Sequence, residues 1–446
     1  MGPSDLRQKV WDVCLYIQEN LYLNRPDLEV GGVRLNSALL MSLLTALCQG
    51  KALVIGEPGL GKTTSAEYVG ALVYQFPLGA LWRAEVSGHP EQTEEKIIGR
   101  PDLGRLNQGE EVVVWSHFAL LPVKIVDELN RLPETKQSLI LDGVDRGNWT
   151  YLDDAIMNDD YCLFATANYA DRGTNTVIAP LLDRFDVMLE SKHPGANLAY
   201  LIAVQRSRAL ALRHPRLEEE LRRVLSHRIG HEALMTKVDG ACAEFGAALA
   251  EDFGIPSLFR EERAEIRTRI RSIPFGLDFN AFLRFTVAEL SFCYRFGQKR
   301  TNETCEEGCH FTGYLCGAVN SCISNRFPAS AATFAQALAW LLGEAEVGIE
   351  QLTTVLPFTL AHRIRWKEAA LAQAEGERRT DPLEIFMAKG AVRQLHRRYS
   401  EQHDEIKAAL SVAGQRVEGD APIPIEGDHP LYWEIRRDLG EDLFGP

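Results

Sequence analysis

The chain has 446 residues, 46% of them hydrophobic and 25% charged, the balance of a globular protein with two or three domains rather than a disordered or fibrous one. Its formal net charge of -14 argues against a protein whose main task is to coat a phosphate backbone, which requires clustered Lys and Arg. The opening MGPSDLRQKVWD lacks the apolar core of a signal peptide, and no stretch approaches the roughly 20 apolar residues that span a bilayer, so a cytoplasmic protein is expected. Cys14, Cys48, Cys162, Cys242 and Cys293 are scattered among apolar neighbours, as reduced thiols acting as small core residues would be.

Val10, Val13, Cys14, Ile17 and Leu21 share one helical face, and Ser37 to Cys48 is apolar enough for a second, more buried helix. The first strong strand is Ala52 to Ile55, followed by a Gly-rich turn and a helix from Lys62 to about Tyr74. Further strands are expected at Trp82 to Ser87, Val123 to Val126, Cys162 to Thr166 and Asp186 to Leu189, with crossover lengths between them. That alternation predicts a parallel sheet covered on both faces. Hairpins are expected around Glu110 to Ser116 and Asn148 to Leu152; beyond about residue 190 the strand signal ends and helices follow. The predicted fold class is therefore α/β, a parallel sheet core with hairpin insertions, then an all-α domain and a C-terminal helical extension. Its expected divisions are an N-terminal helix (1–30), an αβ core (31–195), a helical domain (196–370) with an insertion at about 205–275, and a C-terminal extension (371–446). Residues 415–430 are rich in Pro, Gly and acid, which predicts an irregular segment.

Gly56-Glu57-Pro58-Gly59-Leu60-Gly61-Lys62-Thr63, followed by Thr64, satisfies G-x-x-x-x-G-K-[ST] between a strand and a helix. The glycines let backbone N–H groups turn around a phosphate, Lys62 neutralises its oxygens and Thr63 is placed to ligate Mg²⁺. A second motif ends the strand of Pro122 to Val126 in Asp127-Glu128, where Asp127 can hold Mg²⁺ and Glu128 can polarise the attacking water. Lys124 interrupts that apolar strand and is expected to snorkel from the sheet edge. The strand CLFAT leads to Asn168, a polar amide that can hold the same water or simply cap a turn.

Asp127 to Asp154 (DELNRLPETKQSLILDGVDRGNWTYLDD) resembles the DEINR…P…QSALLEAMEE…T block of MoxR-type AAA+ ATPases. Ala165 to Leu189 is similar to that family's ATQNP…LDRF stretch, and Ile323 to Ile364 to its lid block. The resemblance covers about residues 30–195 and 275–365. It implies an ATP- and Mg²⁺-dependent hydrolase that works as a ring, usually a hexamer. Arg184 matches the arginine that reaches the neighbouring subunit's γ-phosphate, and Arg326 the lid arginine that senses nucleotide in its own subunit. Arg131 matches a residue expected to reach across the subunit interface. The family further implies a chaperone-like remodeller of a protein client, with a von Willebrand A domain protein as partner.

Cys305, Cys309, Cys316 and Cys322, with His310, fall within eighteen residues ahead of Arg326. Thiolates and imidazole suit a structural Zn²⁺, yet the paired C-x2-C knuckles of zinc ribbons are missing, so a metal site and a set of reduced thiols are weighed equally. The alternative to a protein remodeller is a nucleic-acid motor or defence ATPase. Against it, Gly109-Glu110-Glu111 and Asp153-Asp154 make the hairpin tips acidic, where a DNA motor calls for Lys or Arg.

Overall fold

A computed structural model describes residues 3–158, 160–169, 177–204, 208–226, 230–293, 297–298, 313–320, 322–377, 381–415 and 429–438. By their contacts they form two units, residues 1–272 with 340–343, and residues 273–339 with 344–446. The helices within 205–275, which the sequence grouped with the helical domain, fall in the first unit up to Ser272.

In the first unit, helix α1 (Pro3–Tyr16) runs into a π-helical turn at Ile17–Leu21, and Val10, Val13 and Ile17 are fully buried. Helix α2 (Ser37–Cys48) is capped by Asn36, whose side chain accepts from Leu39 N. Its apolar residues are buried on every side, as expected of a helix without a polar face.

The five-stranded sheet consists of β1 (Lys51–Ile55), β2 (Val86–Ser87), β3 (Val123–Asp127), β4 (Cys162–Ala167) and β5 (Val187–Glu190). Its order is β5-β1-β4-β3-β2, and every pairing is parallel. Such a sheet is buried on both faces, which is why β4 reads as one apolar run and has no exposed residue. The strand expected at Trp82 to Ser87 is helical in its first half: Leu78–Ala84 is a helix, with Leu78, Leu81 and Ala84 buried, and only Val86–Ser87 pairs with β3. Helical spacing of the apolar residues, with Pro77 at the N-cap, prevails over β propensity there.

Lys124 does not snorkel. Strand β3 lies between β4 and β2, and Lys124 is 0% exposed. Its ammonium donates to the carbonyls of Phe118 (2.7 Å), Ala119 (2.9 Å) and Leu121 (3.1 Å). The rings of Phe118, Trp149 and Tyr161 stand 5.1–5.6 Å away. Three donors meeting three acceptors make this burial tolerable. Among the described residues of the first unit, three ribbons stand apart from this sheet, Leu28–Val30 with Val33–Leu35, Gly99–Pro101 with Val113–Trp115 and Asn148–Tyr151 with Asp154–Met157.

The second unit is mainly helical, but not wholly: Phe292–Cys293 pairs with Gly297–Gln298 in a short ribbon beyond the last expected strand. Helix Leu277–Ser291 carries Glu289, 0% exposed, which accepts from Leu315 N (2.8 Å), Arg398 Nε (3.1 Å) and His429 Nε2 (3.1 Å). Burial alone would push the Glu289 carboxyl up, but His429 and Arg398 outweigh it and hold it below its ordinary range. These bonds tie helix Leu383–Glu401 and the start of helix Pro430–Asp438 to one point. Among the described residues, no helix is long and apolar enough to cross a membrane.

Candidate nucleotide site

The turn after β1 requires its glycines. Gly59 and Gly61 have φ of +78° and +75°, in the left-handed region, and a Cβ on Gly56 would stand 2.7 Å from Ser191 O. Helix α3 (Lys62–Val73) therefore begins directly from Gly61, with no side-chain cap and no acid in its first turn. Its first N–H groups and the positive end of its dipole face the turn without a competing anion on the helix itself. Ser191 Oγ donates to Leu60 O (2.7 Å) and contacts Tyr22 OH (3.3 Å), bracing the turn from β5.

Lys62 is 7% exposed. Its ammonium donates to Gly56 O (3.1 Å), Glu57 O (3.0 Å) and Asn168 Oδ1 (2.6 Å). Burial lowers its pKa, with Asp127, Glu128 and Glu57 acting in the opposite sense from a distance. Neutral oxygens thus hold a buried cation whose charge no direct ion pair cancels among the described residues, which suits a polyanionic ligand.

Strand β3 delivers Asp127, whose Oδ1 accepts from Thr63 Oγ1 (2.9 Å) and Thr166 Oγ1 (2.6 Å). The same Thr166 hydroxyl accepts from Glu128 N (2.8 Å). Glu128 is held at φ +52°, an uncommon conformation for a residue with a side chain. Its Oε1 accepts from Asn168 Nδ2 (2.9 Å), and its Oε2 pairs with Arg131 Nη1 (3.1 Å) of the same chain. Asn168, one strand over at the end of β4, therefore links Lys62 to Glu128 through opposite ends of one amide. Asn130 fixes it, donating Nδ2 to Asn168 O (3.1 Å) and accepting from Asn168 N (3.4 Å). Gly88, after β2, comes so close that a Cβ there would collide with Glu128 O.

Lys62, Thr63, Asp127, Glu128 and Asn168 thus form one hydrogen-bonded network at the C-terminal edge of a parallel sheet, where α/β proteins bind ligands. The residues fit MgATP: Gly56 to Thr64 would surround its phosphates, and Thr63 with Asp127 would hold Mg²⁺.

Residues 322–385 match the family model described as the AAA lid domain. The chain also aligns with a crystal structure of a candidate ATPase from Cytophaga hutchinsonii, with a TM-score of 0.57 at 16% identity over 89% of this chain and 95% of that one. The chain has the AAA+ fold. No curated protein matches it.

Within this AAA+ core, Arg184 contacts none of the network residues among the described residues. It follows the short helix Ala179–Leu182, donating Nε to Asp145 Oδ1 (2.9 Å), Nη2 to Asp145 Oδ2 (3.4 Å) and Nη1 to Pro180 O (2.8 Å). Arg326 starts helix Arg326–Leu342 in the second unit and is exposed. Cys305, Cys309 and His310 lie outside the described residues, while Cys316 is buried and Cys322 half-buried. Among the described residues, no group of three or more His, Cys, Asp or Glu is arranged to hold a metal ion.

Sequence reading did not pick out Thr166, Asn130, Gly88 or Ser191. Thr166 alone left a signal, a hydroxyl inside an otherwise apolar buried strand.

Proposed function

We propose that the chain is an Mg²⁺-dependent ATPase, similar to the MoxR type, that works as a ring and uses turnover to remodel or activate a protein client. The observation that carries this reading is the bond pair at Asn168, which ties Lys62 (2.6 Å) to Glu128 (2.9 Å) and so connects phosphate binding to the proposed water-activating carboxylate. Bound MgATP supplies the reactive anhydride. Lys62 neutralises phosphate oxygens, Thr63 and Asp127 hold Mg²⁺, Glu128 accepts the proton of the attacking water, and Asn168 fixes Glu128's orientation. Arg184 would serve the neighbouring subunit, and Arg326 would report nucleotide to its own lid.

A client-remodelling role, with a von Willebrand A domain partner, follows from the MoxR-like blocks. The exposed acids Glu110, Glu111, Asp153 and Asp154 at the ribbon tips favour a protein surface over a phosphate backbone. A zinc site formed by the lid cysteines is a separate reading; absence of stoichiometric zinc from the purified protein would remove it without touching the ATPase.

The test is Glu128→Gln. It should bind ATP with near wild-type affinity while turnover falls by roughly 10²–10⁴-fold; wild-type turnover would refute the site. ATPase stimulation by DNA, measured beside stimulation by proteins that co-purify with the Glu128→Gln form in ATP, separates the two client classes.

A further inference from the structure

Helix α4 (Glu134–Arg146) begins three residues after Arg131, in the segment that carries Glu128. It is fastened at two points to the segment that carries Arg184. Near its start, the fully buried Gln137 donates Nε2 to Leu132 O (3.1 Å) and accepts from Ile178 N (2.8 Å), the N-cap of helix Ala179–Leu182. Near its end, Asp145 takes Nε and Nη2 of Arg184, the two-point geometry that fixes a guanidinium plane as well as its position.

A guanidinium has five N–H donors. Among the described residues, Asp145 and Pro180 engage three of those on Arg184, which leaves one on each terminal nitrogen for a ligand oxygen. At the other end of α4, the turn that launches it is locked to the catalytic edge by Asn130 on Asn168 and by Thr166 on Glu128 N. Hydrogen-bonded groups therefore run without a break from Glu128 and Asn168, along one thirteen-residue helix, to Arg184.

We propose that Asp145 is the positioning residue for Arg184, and that α4 is the strut by which the state of a subunit's own nucleotide site sets the arginine it offers to the next subunit. This rests on the ring reading above, in which Arg184 acts in trans. A rigid helix bonded at both ends can transmit a change in the Glu128 turn, whereas a solvated arginine on a free loop cannot.

The experiment mixes inactive full-length subunits. Arg184→Ala subunits keep their own site, and Glu128→Gln subunits keep the arginine, so mixed rings should recover turnover where an Arg184→Ala site faces a Glu128→Gln neighbour. If the donor also carries Asp145→Ala or Asp145→Asn, recovery should fall by roughly tenfold or more, in kcat with KM for ATP unchanged, because misplacing a catalytic group leaves binding in the recipient site intact. Sedimentation of each mixture keeps an assembly defect apart from a positioning defect, and the asparagine form, matched in size, guards against simple misfolding. Equal recovery by a donor with and without Asp145 overturns the proposal while leaving the ring reading standing. No recovery from assembled rings with the unmodified donor overturns the trans reading and the proposal with it.

Discussion

Asn168 shows how little chemistry separates a turn residue from a site residue. Its side-chain oxygen faces Lys62 and its nitrogen faces Glu128, so Asn168→Asp would place a like charge against Glu128 and Asn168→Ala would release it. We expect Asn168→Ala to lower turnover by roughly 10²-fold while ATP binding changes far less, because Lys62 keeps its bonds to Gly56 O and Glu57 O whereas Glu128 loses the amide that orients it. Steady-state kinetics with a separate nucleotide-binding titration checks this; an unchanged kcat would demote Asn168 to a cap. Gly88→Ala is expected to destabilise the core and reduce turnover together, since its Cβ would displace the Glu128 carbonyl; thermal unfolding and ATPase assays on the same preparation report both.

Among the elements, β3 carries two charged residues for opposite purposes. Asp127 ends it at the sheet edge, while Lys124 ties it from within to helix His117–Leu120 and to the ribbon that holds Trp149. Lys124→Ala leaves buried carbonyls unpaired and opens a cavity, so it should cost about 3 kcal/mol or more in denaturant unfolding. In the second unit, His429 is held below its ordinary 6.5 by burial and Glu289 below its ordinary 4.5 by its partners. Where folded pKa values are lowered, the unfolded chain binds more protons, so stability is present at neutral pH and is lost as pH falls through 6.5 and then 4.5. The acid limb of unfolding should therefore flatten in a His429→Phe, Glu289→Gln double variant; an acid limb identical to wild type would show that this cluster does not set it.

For the whole molecule, the proposed ring reading, with a site split between one subunit's Glu128 and another's Arg184, would make activity a property of assembly. Specific activity should rise with protein concentration and with ATP together, as sedimentation moves from single chains to a closed ring, and Arg184→Ala should assemble normally yet stay inactive. Turnover independent of concentration across that transition would argue for a self-sufficient chain.

Some of this was legible in the sequence. The turn of Gly56 to Thr63 between a strand and a helix, the strand that ends at Asp127 and the parallel sheet could be read there, because each leaves a local spacing. Lys124 and Trp82 misled for the same reason: local pattern says nothing about which strand lies in the middle or which apolar run turns helical. Only the tertiary structure decided that Thr166 holds Asp127, that Asn130 fixes Asn168 and that Asp145 grips Arg184. Those bonds join residues distant in the chain and depend on the order β5-β1-β4-β3-β2 and its register, which pairs Ala165 with Val126. Strand order is set by packing the whole unit, so no window of sequence contains it.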